Sequence, residues 1–158
     1  MIVVSDTSPI CYLVLIGQVG LLPELFGRVF VPPSVLTELA AAEGPEEVRA
    51  WATRAPDWIG VRETRLRIEW TEKHLHIGEK DALALAKALS ANLVILDDLA
   101  ARRQAKSLGL AVTGLLGILD RAAKRQWVDR PEIVRRLQRT SFRASPSLLR
   151  AFLLDQLR

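Results

Sequence analysis

The apolar positions fall into short continuous runs separated by longer amphipathic stretches. Ile2-Val3-Val4-Ser5 is β-branched and stops at Asp6, which predicts a buried strand. Val29-Phe30-Val31, Leu93–Leu96 and Leu110-Ala111-Val112 repeat the form. Trp58–Trp70 mixes Ile59, Val61, Leu66 and Ile68 with many charges and predicts an edge strand followed by an extended connection. Helical stretches fill the gaps. Ser8-Pro9 predicts the cap and first turn of a helix reaching about Gln18. Leu21–Phe26 is closed by Gly27, Pro32-Pro33-Ser34 opens a helix carrying Val35, Leu36 and Leu39, and Glu46–Arg54 follows Gly44-Pro45. Gly78 introduces an Ala- and Leu-rich helix from Glu79 to Ser90, and Ala100–Leu108 is closed by Gly109. Thr113-Gly114 leads into a helix to about Arg125, and Pro131–Arg139 and Pro146–Gln156 (capped by Ser145) complete the series. Short strands, apolar on both faces and alternating with helices, predict an α/β fold with a parallel sheet covered on each side.

In such a sheet, ligands bind outside the carboxyl ends of the strands. The side chains expected there are acidic: Asp6 after the first strand, Asp97 and Asp98 after the Leu93–Leu96 strand. Two helices add Glu38, about one turn in, and the pair Glu79 and Asp81 in the first turn of the Ala-rich helix. Each has an ordinary explanation. Glu79 and Asp81 suit a helix N-terminus, Asp97 or Asp98 suits a cap, and Glu38 suits an exposed helix face. Asp6 is harder to dismiss, because a carboxylate closing a buried strand is costly without a partner. Crowded carboxylates repel, and some are forced neutral unless a cation joins them. Oxygen-only ligands select Mg²⁺ or Mn²⁺ over Zn²⁺, and such an ion activates water against a phosphodiester.

Composition narrows the field. The chain has 158 residues, 49% of them hydrophobic, which suits one domain over residues 1–158 and excludes a disordered or fibrous chain. One cysteine, Cys11, cannot staple a fold and reads as an inert core thiol. The apolar runs Pro9–Gly17 and Leu108–Leu119 fall short of the roughly 20 residues of a membrane span. Asp6 follows Met-Ile-Val-Val-Ser without a basic start, so no secretory leader is expected, and the expected location is the cytoplasm. The net charge of +4 is uneven: residues 1–120 carry −3, and residues 121–158, a basic helical extension, carry +7. That end either attracts a polyanion or presents solvated arginines on amphipathic helices.

The acids and their flanks carry a resemblance. Val4-Ser5-Asp6-Thr7-Ser8-Pro9, Val31-Pro32-Pro33-Ser34-Val35-Leu36-Thr37-Glu38, Gly78-Glu79-Lys80-Asp81-Ala82, Ile95-Leu96-Asp97-Asp98 and the Thr113-Gly114 turn follow in order. The chain resembles PIN-domain proteins, similar to the VapC-type ribonuclease toxins, and most of all a subgroup described as predicted PIN-domain nucleic-acid-binding proteins. The resemblance spans about residues 1–155 and implies a three-layer α/β/α sandwich around a parallel sheet, with extra C-terminal helices. It implies a Mg²⁺- or Mn²⁺-dependent endoribonuclease in which Asp6, Glu38, Asp81 and Asp98 are catalytic. Asp6, Asp81 and Asp98 would hold the metal, with Asp97 and Glu79 as rivals. Thr7 matches the hydroxyl beside the first acid. Arg102 and Arg103, one turn past Asp98, and Thr113 are placed to meet RNA. The implied partners are RNA, an antitoxin protein and a second copy of the chain.

Other residues earn less. His74 and His76 precede the Gly78 helix start but have no further His to join them. Trp51, Trp58, Trp70 and Trp127 suit core or oligomer contacts better than base stacking. Leu148, Leu149, Phe152, Leu153 and Leu157 form one helix face, suited to covering the sheet or docking another chain. The competing function is a PIN-like module that binds nucleic acid without cutting it. A phosphatase with Asp6 as nucleophile is disfavoured because Thr7 and Ser8 replace the second acid such enzymes carry.

Overall fold

The computed structural model describes residues 1–158. Five strands, β1 (Val3–Ser5), β2 (Val29–Val31), β3 (Ile59–Val61), β4 (Leu93–Ile95) and β5 (Val112–Thr113), form one parallel sheet in the order β3-β2-β1-β4-β5. Nine helices surround it: α1 (Thr7–Leu15), α2 (Leu21–Phe26), α3 (Pro33–Leu39), α4 (Glu46–Thr53), α5 (Ile77–Ala88), α6 (Leu99–Ser107), α7 (Leu115–Lys124), α8 (Arg130–Gln138) and α9 (Pro146–Leu153). None is long and apolar enough to cross a membrane.

The strands are buried on both faces because their side chains alternate between two cores. Val3, Leu93 and Ile95 point into a large core filled by α1–α4 and α7–α9. Val4 and Val94 point the other way, into a smaller core built from Ala82, Leu83, Leu85 and Ala86 of α5 and Ala101 and Ala105 of α6. The result is the α/β/α sandwich that the pattern of strands and helices implied. Ile59–Val61 is an edge strand as expected, and the connection from Arg62 to α5 carries no regular element.

Several boundaries differ from the sequence expectation, α1 and α9 ending three residues early at Leu15 and Leu153, and two of the differences have a clear local cause. Helix α1 begins at Thr7, with Asp6 rather than Ser8 at the N-cap position, and Pro9 is accommodated in the first turn, where its missing N–H costs nothing. Asp6 makes no capping bond, so its carboxylate is left for other work. The last strand starts late because Leu110 N–H bonds Ala105 C=O and closes α6 first.

Helix α9 covers the larger core with Phe152, wholly buried, while Leu149 and Leu157 pack beside it. Leu148 and Leu153 remain exposed. Much of the C-terminal positive charge is already employed inside the chain. Arg130 bonds Asp120 at 2.7 Å and Asp155 at 3.0 Å, Arg135 and Arg136 pair with Glu132, and Arg121 lies over the Phe26 ring. Trp51 and Trp58 pack against each other on the larger core, and Trp70 packs on the smaller one.

Candidate active site

Strand β1 has β2 on one side and β4 on the other, so the chain reverses its direction of winding between β1 and β4. That is where an open parallel sheet leaves a crevice at its carboxyl edge. Asp6 stands at this point, its N–H held by Ile95 C=O at 3.1 Å, and Asp97 follows two residues beyond Ile95. A cleft of about 400 Å³ opens here, lined by Asp6, Thr7, Ser8, Cys11, Tyr12, Glu38, His76 and Glu79.

Asp6 and Glu79 are the buried acids of the cleft, 6% and 7% exposed. Burial pushes Asp6 up to about 6; the Thr7 backbone N–H opposes this, and the charges of Glu38 and Asp97 add to it. Glu79 rises to about 7, first through burial and then through the charges of Asp6 and Asp98. No lysine or arginine forms a salt bridge with either. His76, at the N-cap position of α5, is the cationic influence that favours ionisation of both.

Glu38 is held from two sides. One oxygen accepts the Thr7 hydroxyl and the other accepts Gly78 N–H at 3.1 Å, near the N-terminus of α5. A Cβ at position 78 would fall 2.5 Å from Glu38 Oε1, so only glycine permits this approach. Asp97 is anchored in the same manner: its Oδ1 accepts Leu115 N–H at 2.8 Å and fixes the start of α7. Burial raises Asp97 above the usual carboxylate range, with the Leu115 bond and Arg102 opposing. Asp98 caps α6 through Oδ2, bonded to Ala101 N–H at 2.9 Å.

Two oxygens are left over. Glu79 Oε2 and Asp97 Oδ2 are buried and have no hydrogen-bond partner. Orphaned buried carboxylate oxygens are costly, and a hydrated cation is one way to satisfy them. No three His, Cys, Asp or Glu side chains stand ready as a closed cage. Mg²⁺ does not require one, since it keeps several waters and takes one or two carboxylates directly. The donor set, all oxygen, fits Mg²⁺ or Mn²⁺.

A PIN domain family model matches residues 2–156. The chain belongs to the PIN domain family. A search of curated proteins finds no match. Among solved structures, the fold is similar to a PilT N-terminus domain protein, SSO1118, from the hyperthermophilic archaeon Sulfolobus solfataricus P2. The similarity covers 91% of this chain and 100% of that one at 14% identity, with a TM-score of 0.52, a likeness of fold. The PIN domain is a nuclease-type fold that typically uses divalent metal ions, which places the acidic edge in context.

The expected site residues do not all meet. Asp6, Glu38 and Glu79 line one cleft, and Asp97 and Asp98 are near enough for their charges to act on Asp6 and Glu79 respectively. Asp81 lies elsewhere, in a separate groove with Pro32, Pro33, Trp70 and Lys80. Two residues along a helix means about 200° of rotation, so Glu79 and Asp81 cannot face the same way. Arg103 turns outward to Glu72 at 2.8 Å, and Arg102 bonds Leu96 C=O at 3.1 Å beside Asp97. Thr113 and Arg102 line a third groove, next to the acids. Three further residues line the cleft: Cys11 and His76, to which the sequence reading assigned no site role, and Tyr12, which it did not single out. Cys11 is a cleft wall as well as a core contact, since it lies one helical turn after Thr7; His76 and Tyr12 join it. Burial pushes the Cys11 thiol up, which keeps it protonated.

Proposed function

We propose that this PIN domain is a metal-dependent endoribonuclease that hydrolyses RNA phosphodiesters in the cytoplasm, as the toxin of a toxin–antitoxin pair. The observation that carries the reading is the Asp6–Glu79 pair: two buried carboxylates, Glu79 pushed up by the charge of Asp6 and Asp6 by those of Glu38 and Asp97, without a lysine or arginine to neutralise them. A structural acid pair would have such a partner; a metal site does not need one.

Asp6 and Glu79 are the residues that would hold Mg²⁺ or Mn²⁺ directly, with Asp98 and Asp97 reached through the ion's waters. Glu79 here takes the role that the resemblance assigned to Asp81. Bound there, the ion would supply a water of lowered pKa and stabilise charge developing on the phosphate. The remaining work belongs to the chain. Glu38 fixes the hydroxyl of Thr7 and the start of α5, and so sets the spacing between Asp6 and Glu79. Glu79 Oε2, free of any donor, is the atom available to accept a water's hydrogen. Arg102 and Thr113 border the path by which phosphates flanking the scissile one would leave the cleft. An antitoxin and a second copy of the chain are the protein partners that the family resemblance suggests, and Leu153 and Leu154 offer them apolar surface.

A second reading, a PIN fold that binds RNA without cutting it, is favoured by the lack of a ready-made three-ligand cage. Cleavage of a panel of tRNA, rRNA and mRNA with Mg²⁺ or Mn²⁺ separates the two, with wild type and Asp6→Asn purified in parallel. The expected result is cutting by wild type alone, abolished by EDTA. Cutting by both equally, or RNA bound by both and cut by neither, would overturn the nuclease reading.

A further inference from the structure

We infer that the groove between α7 and the C-terminal segment is the track for a single RNA strand leaving the acidic cleft, with Arg143 and Arg158 contacting its phosphates. This inference rests on the nuclease reading above and names the path of its substrate.

The groove has a volume of about 600 Å³, and Asp97, Thr113 and Gly114 form one end of it. Asp97 therefore belongs to both places: it borders the groove, and its charge reaches Asp6 in the cleft. The opposite wall is the segment from Phe142 to Ala144, tied to the cleft by Tyr12. Tyr12 lines the cleft, meets the Phe142 ring edge-on at 5.3 Å, and has its hydroxyl 3.0 Å from Ser141 Oγ. Cleft and groove share no lining residue, and Asp97 and the Tyr12–Phe142 contact are the links between them.

The charge of the groove suits a polyanion. Arg102, Arg121, Lys124, Arg143 and Arg158 line it, against the acids Asp97 and Asp120. These cations are not equally free. Lys124 is neutralised by Asp120 at 2.6 Å and Asp155 at 3.5 Å, Arg121 lies over Phe26, and Arg102 bonds Leu96 C=O. Arg143 bonds only the carbonyl of its neighbour Phe142, and Arg158 has no salt bridge. Both are exposed. The unspent positive charge therefore lies on the C-terminal wall, while Asp97, the groove acid without a salt bridge, lies at the sheet edge. A phosphate chain with its scissile group at Asp6 and Glu79 meets that gradient in the right order.

An acidic protein partner fits less well. Of the apolar groups lining the groove, Phe142 and Leu157 are already packed on the larger core, and only Leu99 and Leu148 stand exposed. A protein interface draws its energy from such groups in its centre.

The test is fluorescence-anisotropy binding of a labelled single-stranded RNA of mixed sequence, with EDTA present so that no strand is cut, across a salt series. Arg143→Gln/Arg158→Gln is compared with wild type and with Arg54→Gln/Arg139→Gln, a charge-matched pair outside the groove. All four positions are exposed, so circular dichroism should be unchanged. The groove variant is expected to bind about tenfold more weakly, with a salt slope shallower by about 1.4, the counterion release of two single-strand phosphate contacts. Equal affinity and slope in the groove and control variants would overturn the inference. So would unchanged RNA binding combined with lost binding of an acidic protein. Weakened binding by the groove variant, from a wild type that cuts no RNA with Mn²⁺, would uphold the track and overturn the nuclease reading. Cutting by wild type, with the groove variant binding and cutting equally well, would do the reverse.

Discussion

The carboxylate of Glu38 on α3 accepts the backbone N–H of Gly78 on α5 at 3.1 Å, across forty residues of chain. This bond ties a helix of one face of the sheet to a helix of the other, and it does so next to Glu79. Glycine at 78 is what lets the carboxylate in, because a Cβ would lie within 3 Å of three Glu38 atoms. Glu38 cannot simply swing away, since Thr7 holds its other oxygen. Gly78→Ala is expected to lose a charge-assisted bond and cost about 1.5–3 kcal/mol. It should also reduce RNA cleavage by displacing Glu79. Urea unfolding read beside the cleavage rate checks both.

Asp6 and Glu79 make stability fall as pH rises. Their ordinary values of 3.8 and 4.5 become about 6 and about 7 in the folded chain. The native state therefore holds protons that the unfolded state has released. Their favourable contribution is complete below about pH 4 and is lost as pH climbs through 6 and 7, a change on the order of 3 kcal/mol from Asp6 alone. With EDTA present, Asp6→Asn should melt above wild type at pH 8, and the gap should narrow at pH 5. A gap that widens at pH 5 would contradict the burial of unpaired charge at this site.

The third acid can be decided by exchange of roles. Glu79→Gln is expected to lower Mn²⁺-dependent cleavage by about a hundredfold or more, the scale of losing one preorganised group at the reacting centre. Asp81→Asn, half-buried in the separate groove with Trp70 and away from the cleft, should stay within about twofold of wild type. Parallel rate measurements at saturating metal give the answer; the reverse ranking would return the role to Asp81.

Arg130 is the main brace of the C-terminal helices. It bonds Asp120 at 2.7 Å, Phe152 C=O at 2.8 Å and Asp155 at 3.0 Å, and lies over the Phe152 ring. Arg130→Ala leaves the buried Asp120 with Lys124 alone and is expected to cost about 3 kcal/mol. Arg130→Lys keeps the charge but not the fork, so it should fall between. Denaturant midpoints of the three proteins check the order.

The layers were legible because β-branched runs such as Ile2–Ser5 leave little choice: buried on both faces, they demand helices on both sides. The positions of Asp6, Asp97 and Asp98 followed from strand ends alone. Which of Glu79 and Asp81 lines the cleft did not. Helix α5 is packed around so much of its surface that Ala82, Leu83, Leu85 and Ala86 are all buried, so the apolar pattern marks no single inward face. One usable signal was present, since Gly78 beside Glu79 marks a close backbone approach on that side. Arg102 and Arg103 look equivalent in sequence, and only the position of Glu72, on an irregular connection, separates them. The Tyr12–Phe142 contact joins residues 130 apart and leaves no local trace.

The most direct test of the account is a Mn²⁺ titration at pH 8 followed by electron paramagnetic resonance of the free ion, on wild type and on Asp6→Asn/Glu79→Gln. The expected result is saturable binding by wild type that the double variant loses, with the variant's circular dichroism unchanged. Absence of binding by wild type, or equal binding by both proteins, would contradict the claim that Asp6 and Glu79 form a metal site.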